Sequence, residues 1–344
     1  MDENARIAKW DNARALLILL VVTGHIADGI METSSVEISN LMKSIYIFIY
    51  MFHMPVFLFL AGLFHKPYTR KAPLRVRKIL SYILLGFALK FVNLFFANLL
   101  HRPASDRAFF WLSDSHTPWF LFSLAIMMVL VYLLRNRSLL CILPLSILIA
   151  CLSGYNNSIQ DFLYLSRTIV FFPFYYIGYC LEESQVRRFI KNKAFLFLSL
   201  LTLAAFAYLC FVQTADIYAY RGFFTGRNPY AKTPFPDCGF SQRIISYAIS
   251  FIMGFAFLCV IPQRKIKLLS YVGTKTLGIY FWHIPCIWIL RYFKVADYIP
   301  SFLPDSVYLL TAIPITLLLS CPVFSLPLKW IESLTRSKKK ESTT

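Results

Sequence analysis

Charge is what this sequence has least of. Asp, Glu, Lys and Arg make up 15% of its 344 residues, where a water-soluble surface needs roughly a quarter. A chain so short of polar cover is not an ordinary cytosolic enzyme. Apolar residues at 58% equally exclude a disordered chain. The eight cysteines include no Cys-x-x-Cys pair and no Cys/His spacing of the kind that holds zinc. Cys141, Cys151, Cys180, Cys210, Cys259, Cys286 and Cys321 lie in or beside apolar runs, and only Cys238 sits in a polar loop. A secreted disulfide scaffold is therefore excluded, and no metal is expected. A cleavable leader is not expected either. Asp2 and Glu3 spoil a basic n-region, and Gly24, His25 and Asp28 follow the first apolar run where small cleavage-site residues would stand, so that run reads as an uncleaved span. No internal repeat of the transporter kind is visible.

What the chain does have is apolar length. About 17–25 apolar residues cross a hydrocarbon core. Candidate spans lie near 13–30, 41–63, 78–100, 117–134, 138–154, 166–182, 194–212, 243–262, 268–290 and 306–327. The expected fold is an all-α polytopic membrane protein of about ten transmembrane helices with both termini cytoplasmic. Residues 1–335 form the integral domain and 336–344 a basic cytoplasmic tail. With that topology the inner segments carry 23 basic and seven acidic residues, and the outer segments ten of each. The positive-inside rule predicts such a bias. The net charge of +18 is thus a topology signal, and the partner it implies is the lipid bilayer, with no nucleic acid.

Ionisable groups at membrane depth cost several kcal/mol, roughly, so each is a functional candidate. Arg14 and His25 are eleven residues apart. On a helix that spacing leaves them only about 20° apart in direction, with a rise of roughly 16 Å. Both face one side, Arg14 at the inner mouth and His25 much deeper. Asp28, three residues on, is placed to orient the imidazole. Alone, Arg14 reads as a snorkelling anchor and His25 as an interfacial histidine; on one face of one helix they favour function. His53 sits in Phe52-His53-Met54-Pro55, where Pro55 removes a helical N–H and frees a carbonyl. It either lines the same cavity or serves the kink. His283 lies in Tyr280-Phe281-Trp282-His283-Ile284-Pro285. Lys90 with Asn93 makes a further interior polar spot, and Lys275 reads as a snorkelling residue. His65, His101 and His116 stand in loops or at span ends and receive no role. The loop from Lys66 to Lys78 holds six cations and no acid, which suits topology and also suits a phosphate-bearing ligand. Trp119 in Pro118-Trp119-Phe120-Leu121 fits either a sugar platform or an interfacial aromatic belt.

Four stretches carry a family resemblance. They are Trp10-Asp11-Asn12-Ala13-Arg14 running to Thr23-Gly24-His25, Phe52-His53-Met54-Pro55 continuing to Ala61-Gly62, Pro118-Trp119-Phe120-Leu121, and Gly273-Thr274-Lys275-Thr276-Leu277-Gly278-Ile279-Tyr280 ending at His283. In this order they resemble the acyltransferase-3 membrane acyltransferases, most nearly the branch of fucose 4-O-acetylase-like sugar O-acetyltransferases. The resemblance implies transfer of an acetyl group from cytoplasmic acetyl-CoA to a hydroxyl of a cell-envelope or surface polysaccharide, in a bacterial inner or plasma membrane. It makes Arg14 and His25 the paired motif, with His25 the essential histidine; the spacing adds Asp28 as its orienter, and the position of Arg14 at the inner surface suits the donor's phosphates. The family's Arg-x-x-Arg element has its nearest counterpart in Arg75-Val76-Arg77-Lys78, with the second arginine replaced or shifted. Arg75, Arg77 and Lys78 are accordingly the expected donor ligands, and His53, Trp119 and His283 the expected acceptor side. An acetyl thioester is already activated, so placement and a base are the main requirements. His25 serves either as that base or as an acetyl-carrying nucleophile. A transporter or flippase for a saccharide or lipid-linked sugar, and a non-catalytic scaffold, are the rival readings.

Overall fold

The computed structural model describes residues 3–33, 39–65, 73–113, 117–227, 229–298 and 305–335. Lys66, Arg70 and Lys71 of the expected cationic loop, His116, and the 336–344 tail lie outside the described residues. Every regular element among those described is helical, with no strand.

The principal helices are α1 Glu3–Thr33, α2 Asn40–Tyr50, α3 His53–Leu63, α4 Val76–Leu99, α5 Trp119–Leu133, α6 Leu139–Ser153 and α7 Leu165–Cys180. They continue as α8 Glu183–Ile190, α9 Lys193–Val212, α10 Gly239–Val260, α11 Lys267–Gly273, α12 Thr276–Tyr292, α13 Ala312–Leu319 and α14 Leu326–Leu334. Five stretches are long and apolar enough to cross a bilayer: Ala8–Met31, Asn40–Leu63, Val76–Leu99, Lys193–Val212 and Pro236–Val260. The pair Ser306–Leu319 and Pro322–Leu334, bent by 73°, forms a sixth if taken as one span. The other expected spans fall on shorter helices. α5 and α6 have 15 residues each, about 22 Å of helix against a hydrocarbon core of about 30 Å.

Lipid is the solvent the surface requires. α9 is the plainest case, since only 11% of its apolar window is buried. Phe197, Leu198, Leu200, Leu201, Phe211 and Val212 all stand exposed along it. Such a face in water would aggregate; the chain is a multi-pass membrane protein. α1 takes the opposite position, running through the bundle against α2, α3, α11, α12 and α13.

Close approaches set the rest. Gly62 on α3 and Gly178 on α7 are reciprocal. A side chain at Gly62 would strike the Tyr175 carbonyl, and one at Gly178 the Phe59 carbonyl. Without a hydrophobic force between helices in lipid, such small-residue seams are how backbones reach van der Waals contact. The break between α2 and α3 follows from Pro55. Lacking an N–H, Pro55 leaves the Met51 carbonyl without its helical donor, and Ser250 Oγ on α10 supplies one at 2.6 Å. The irregularity expected at this proline is present, and its freed carbonyl is paired.

Candidate functional site

α1 organises the site from its inner end. Asn12 is fully buried, and its Nδ2 donates to the carbonyls of Pro262 at 3.0 Å and Arg264 at 2.9 Å. Its Oδ1 accepts from Ser270 Oγ at 3.2 Å. Trp10 Nε1 donates to Glu183 Oε1 at 2.9 Å. At Gly273, where α11 ends, a side chain would strike the Asp11 carbonyl. Trp10, Asn12 and Gly273 therefore lock α1 to its neighbours. The residue left facing open space is Arg14. Its guanidinium is half-buried, paired with Asp11 at 3.0 Å and lying over the Phe64 ring at 4.7 Å.

Arg14 opens onto a cavity of about 230 Å³. Lys78, His65 and Tyr82 line it beside Arg14, and the N-terminus of α12 enters at Thr276. That end is cationic, and a helix N-terminus adds to its preference for anions. Between it and the far end the wall is apolar: Met54, Phe57, Leu121, Leu124 and Leu277. The far end is closed by Val21, Phe120 and Tyr280, about 10 Å along α1 from Arg14. Tyr280 packs on Phe120 with ring centroids 5.3 Å apart, and its hydroxyl donates to the Thr117 carbonyl.

One helical turn beyond that end stand two histidines. His25 follows Val21 by four residues and His283 follows Tyr280 by three, so each sits about 5 Å higher on its helix. Their rings approach to 5.1 Å between centroids, and His283 lies 5.7 Å from Tyr280. His283 Nδ1 is 2.7 Å from the Tyr280 carbonyl. A carbonyl only accepts, so Nδ1 carries the proton and Nε2 of the neutral ring is a bare acceptor. That Nε2 is buried and has no hydrogen-bond partner among the described residues.

Around the pair lies a polar, aromatic shell. Asp28 on α1 is close enough to the hydroxyls of Tyr46, Tyr50 and Tyr218 for its charge to act on them. Tyr50 packs over Gly24, 3.0 Å from where a side-chain carbon would sit. His53 stands behind it, rings 4.8 Å apart, with Nδ1 2.8 Å from the Ile49 carbonyl. Met54 and Phe57 line the cavity wall from that helix. Trp119 is buried, stacked on Phe171 at 5.7 Å with the Arg167 guanidinium 4.9 Å above its ring. It belongs to the bundle interior and not to an interfacial belt, because α5 buries most of its length.

The structure thus gathers Arg14 and Lys78 at one end of a cavity and His25 and His283 beyond the other. Arg75 turns into a neighbouring pocket shared with His65, Tyr179 and Arg135, and Arg77 is exposed. Three participants were not singled out by the sequence. His65, given no role, is buried at the cavity mouth with Nδ1 2.7 Å from Tyr175 Oη. Burial, then the charges of Lys78 and Arg75, push it down to about 4, so it is neutral near pH 7. Arg167 and Tyr280 were hidden because their roles depend on which helices meet; only the helical spacing of Tyr280 to His283 hinted at them.

Comparison with known proteins adds identity to this geometry. Residues 7–325 match a family model described as an acyltransferase domain. Over 235 residues the chain is 27% identical to nodulation protein NolL of Mesorhizobium japonicum, an overlap covering 63% of this chain and 59% of that protein. The chain thus spans less than two thirds of the length of that curated relative. No solved structure matches it.

Proposed function

This chain belongs to the acyltransferase-3 family, whose model covers residues 7–325, and we propose that it is a membrane O-acetyltransferase of the fucose 4-O-acetylase-like branch. In this reading it moves an acetyl group from cytoplasmic acetyl-CoA to a hydroxyl of a cell-envelope saccharide. It works from a bacterial inner or plasma membrane, with ten passages and both termini cytoplasmic. The observation that carries the reading is the placing of Arg14 and Lys78 at one end of an apolar cavity of about 230 Å³ and of the His25–His283 pair one helical turn beyond its other end. Phosphates suit its cationic mouth and an acyl-bearing arm suits its apolar wall.

Each residue has a role in that reading. Arg14, with Lys78 and neutral His65, holds the donor's phosphates; Arg75 flanks them. The acceptor hydroxyl loses its proton to His25 as its oxygen attacks the thioester carbonyl. The carbon–sulfur bond then breaks, the acetyl group stays on the acceptor oxygen, and the coenzyme A thiolate takes up a proton. His283, with its bare Nε2, positions either the hydroxyl or the His25 ring. Asp28 stabilises the imidazolium that forms. Trp119, His53 and Arg167 belong to the wall on the acceptor side.

The test is release of coenzyme A thiol by purified protein in liposomes, given acetyl-CoA and a panel of saccharides. Acceptor-dependent release that disappears in His25→Ala supports the reading. Release independent of both acceptor and His25, or none with any acceptor, overturns it.

A further inference from the structure

A second cavity, on the side of the bundle remote from the cationic mouth, has no part in the transfer just described. It measures about 320 Å³ and lies between the outer half of α4 and the 105–113 segment. Asn93, Ser105, Asp106, Phe109, Ser113 and Asp161 line it. A water's share of liquid is about 30 Å³, so this is far more than one trapped water needs.

Two features show that the cavity is built. Lys90, on α4 and almost completely buried, reaches over to the 110–113 backbone. It donates to the carbonyls of Phe110, Trp111 (3.4 Å) and Ser113 (3.0 Å), with Phe109, Phe122 and Tyr164 rings within 6 Å of its ammonium. A buried lysine thus fixes one wall. Asn93, one turn further along α4 and only 5% exposed, lines the cavity with both amide atoms lacking a hydrogen-bond partner among the described residues. A primary amide offers two donors and an acceptor. Leaving all of them unmet inside a protein is unfavourable, whereas an apolar side chain of that size would cost nothing comparable.

The ligand chemistry follows from the charges. Asp106 is already paired with Arg102 at 2.9 Å and Asp161 with Arg227 at 2.8 Å. Each carboxylate keeps lone pairs able to accept from hydroxyls, while the arginines cancel the field that would draw a cation. Lys90 also lines the cavity, with its ammonium turned to three backbone carbonyls of the wall; beside it an amide, two neutralised carboxylates, two serines and apolar surface suit a neutral polyhydroxyl ring. Asp161 also links this cavity to the acceptor side, since Asp161 and Arg227 lie close enough to Arg167 for their charges to interact.

We propose that the Asn93 cavity is a saccharide-binding subsite that holds a neutral pyranose of the acceptor chain other than the residue being acetylated. It rests on the reading of the acceptor as a saccharide. The substrate class is then an oligosaccharide or polymer, not a free monosaccharide.

The experiment uses the full chain in nanodiscs and saturation-transfer NMR. The probes are neutral oligosaccharides of glucose, galactose and N-acetylglucosamine, from dimer to hexamer, without any acyl donor. The native protein is expected to bind at least one series. Asn93→Leu is expected to weaken that binding by about tenfold, as for two lost hydrogen bonds, and to leave acetyl-CoA affinity unchanged. Ser105→Trp, a filling substitution from an exposed position, should do the same if Asn93→Leu fails to fold. Absence of binding to every probe, or equal binding in native and variant chains, overturns the proposal. Because no acetyl transfer is read, the two ideas fail separately. Binding without any transfer activity sinks the acetyltransferase reading alone, and transfer with unaltered binding in the variants sinks the subsite alone.

Discussion

Asn12 and Arg14 stand two residues apart in one motif, and the structure gives them different work. Replacing Asn12 with Leu keeps the number and branching of side-chain heavy atoms and removes three hydrogen bonds. The Pro262 and Arg264 carbonyls and the Ser270 hydroxyl lose their partner. A buried group left unpaired costs about 1–3 kcal/mol. The two carbonyls are only part-buried, so about 1 kcal/mol each is the fair allowance, with slightly more for the buried hydroxyl. The sum is about 3 kcal/mol, a large share of a typical stability of about 5–15 kcal/mol. The assay is thermal unfolding in detergent with a thiol-reactive dye. Cys151, Cys210 and Cys259 are free and buried, so their labelling reports loss of the fold over the baseline from exposed Cys141, Cys238 and Cys321. Asn12→Leu should melt several degrees below the native chain, and its surviving folded fraction should keep the native KM for acetyl-CoA. A native melting curve with a raised donor KM would refute the assignment of Asn12 to locking α1 in place.

Three further outcomes follow from the same geometry. Arg14→Ala should raise the KM for acetyl-CoA by about tenfold or more, the worth of a lost charge-assisted contact, with kcat little changed; an unaltered donor dependence in steady-state kinetics removes Arg14 from the donor end. Gly273→Ala should sharply reduce folded protein on size-exclusion chromatography, because the new carbon meets the Asp11 carbonyl; a native elution profile would show that α11 can stand away from α1. His65, held near 4 against an ordinary 6.5, is neutral in the fold while the unfolded chain takes up its proton below 6.5. Stability from this group is therefore complete above pH 6.5 and is lost as pH falls toward 4. His65→Gln should flatten the fall in melting temperature over that window, and an unchanged slope would assign the dependence to other groups.

How much was legible in the sequence depended on whether a feature was local. The Arg14–His25 relation is a property of one helix, and α1 runs unbroken through both, so eleven residues of spacing were enough. The kink at Pro55 is equally local, although nothing in the chain said that Ser250, almost 200 residues later, would pair the freed carbonyl. The meeting of His25 with His283 needs α1 and α12 to be neighbours, which periodicity cannot tell. His65 was passed over because a histidine at the end of an apolar run has no neighbours in one dimension; Tyr175, Lys78 and Arg75 reach it only in the folded chain. In the sequence the cationic element after α3 is one cluster of charge. Folding divides it, turning Lys78 to the main cavity and Arg77 to the surface. Trp10, Asn12, Gly62 and Gly273, which carried the family likeness beside Arg14 and His25, are at the level of packing chiefly contacts between helices.

The central claim is that an imidazole on α1 completes transfer from a donor held at the cytoplasmic mouth. Inside-out vesicles test it most directly, with acetyl-labelled coenzyme A on the exposed cytoplasmic face and saccharide enclosed in the lumen. Label should enter the enclosed saccharide with the native chain and fail to enter with His25→Ala at matched expression. Equal labelling by the two chains would contradict the account.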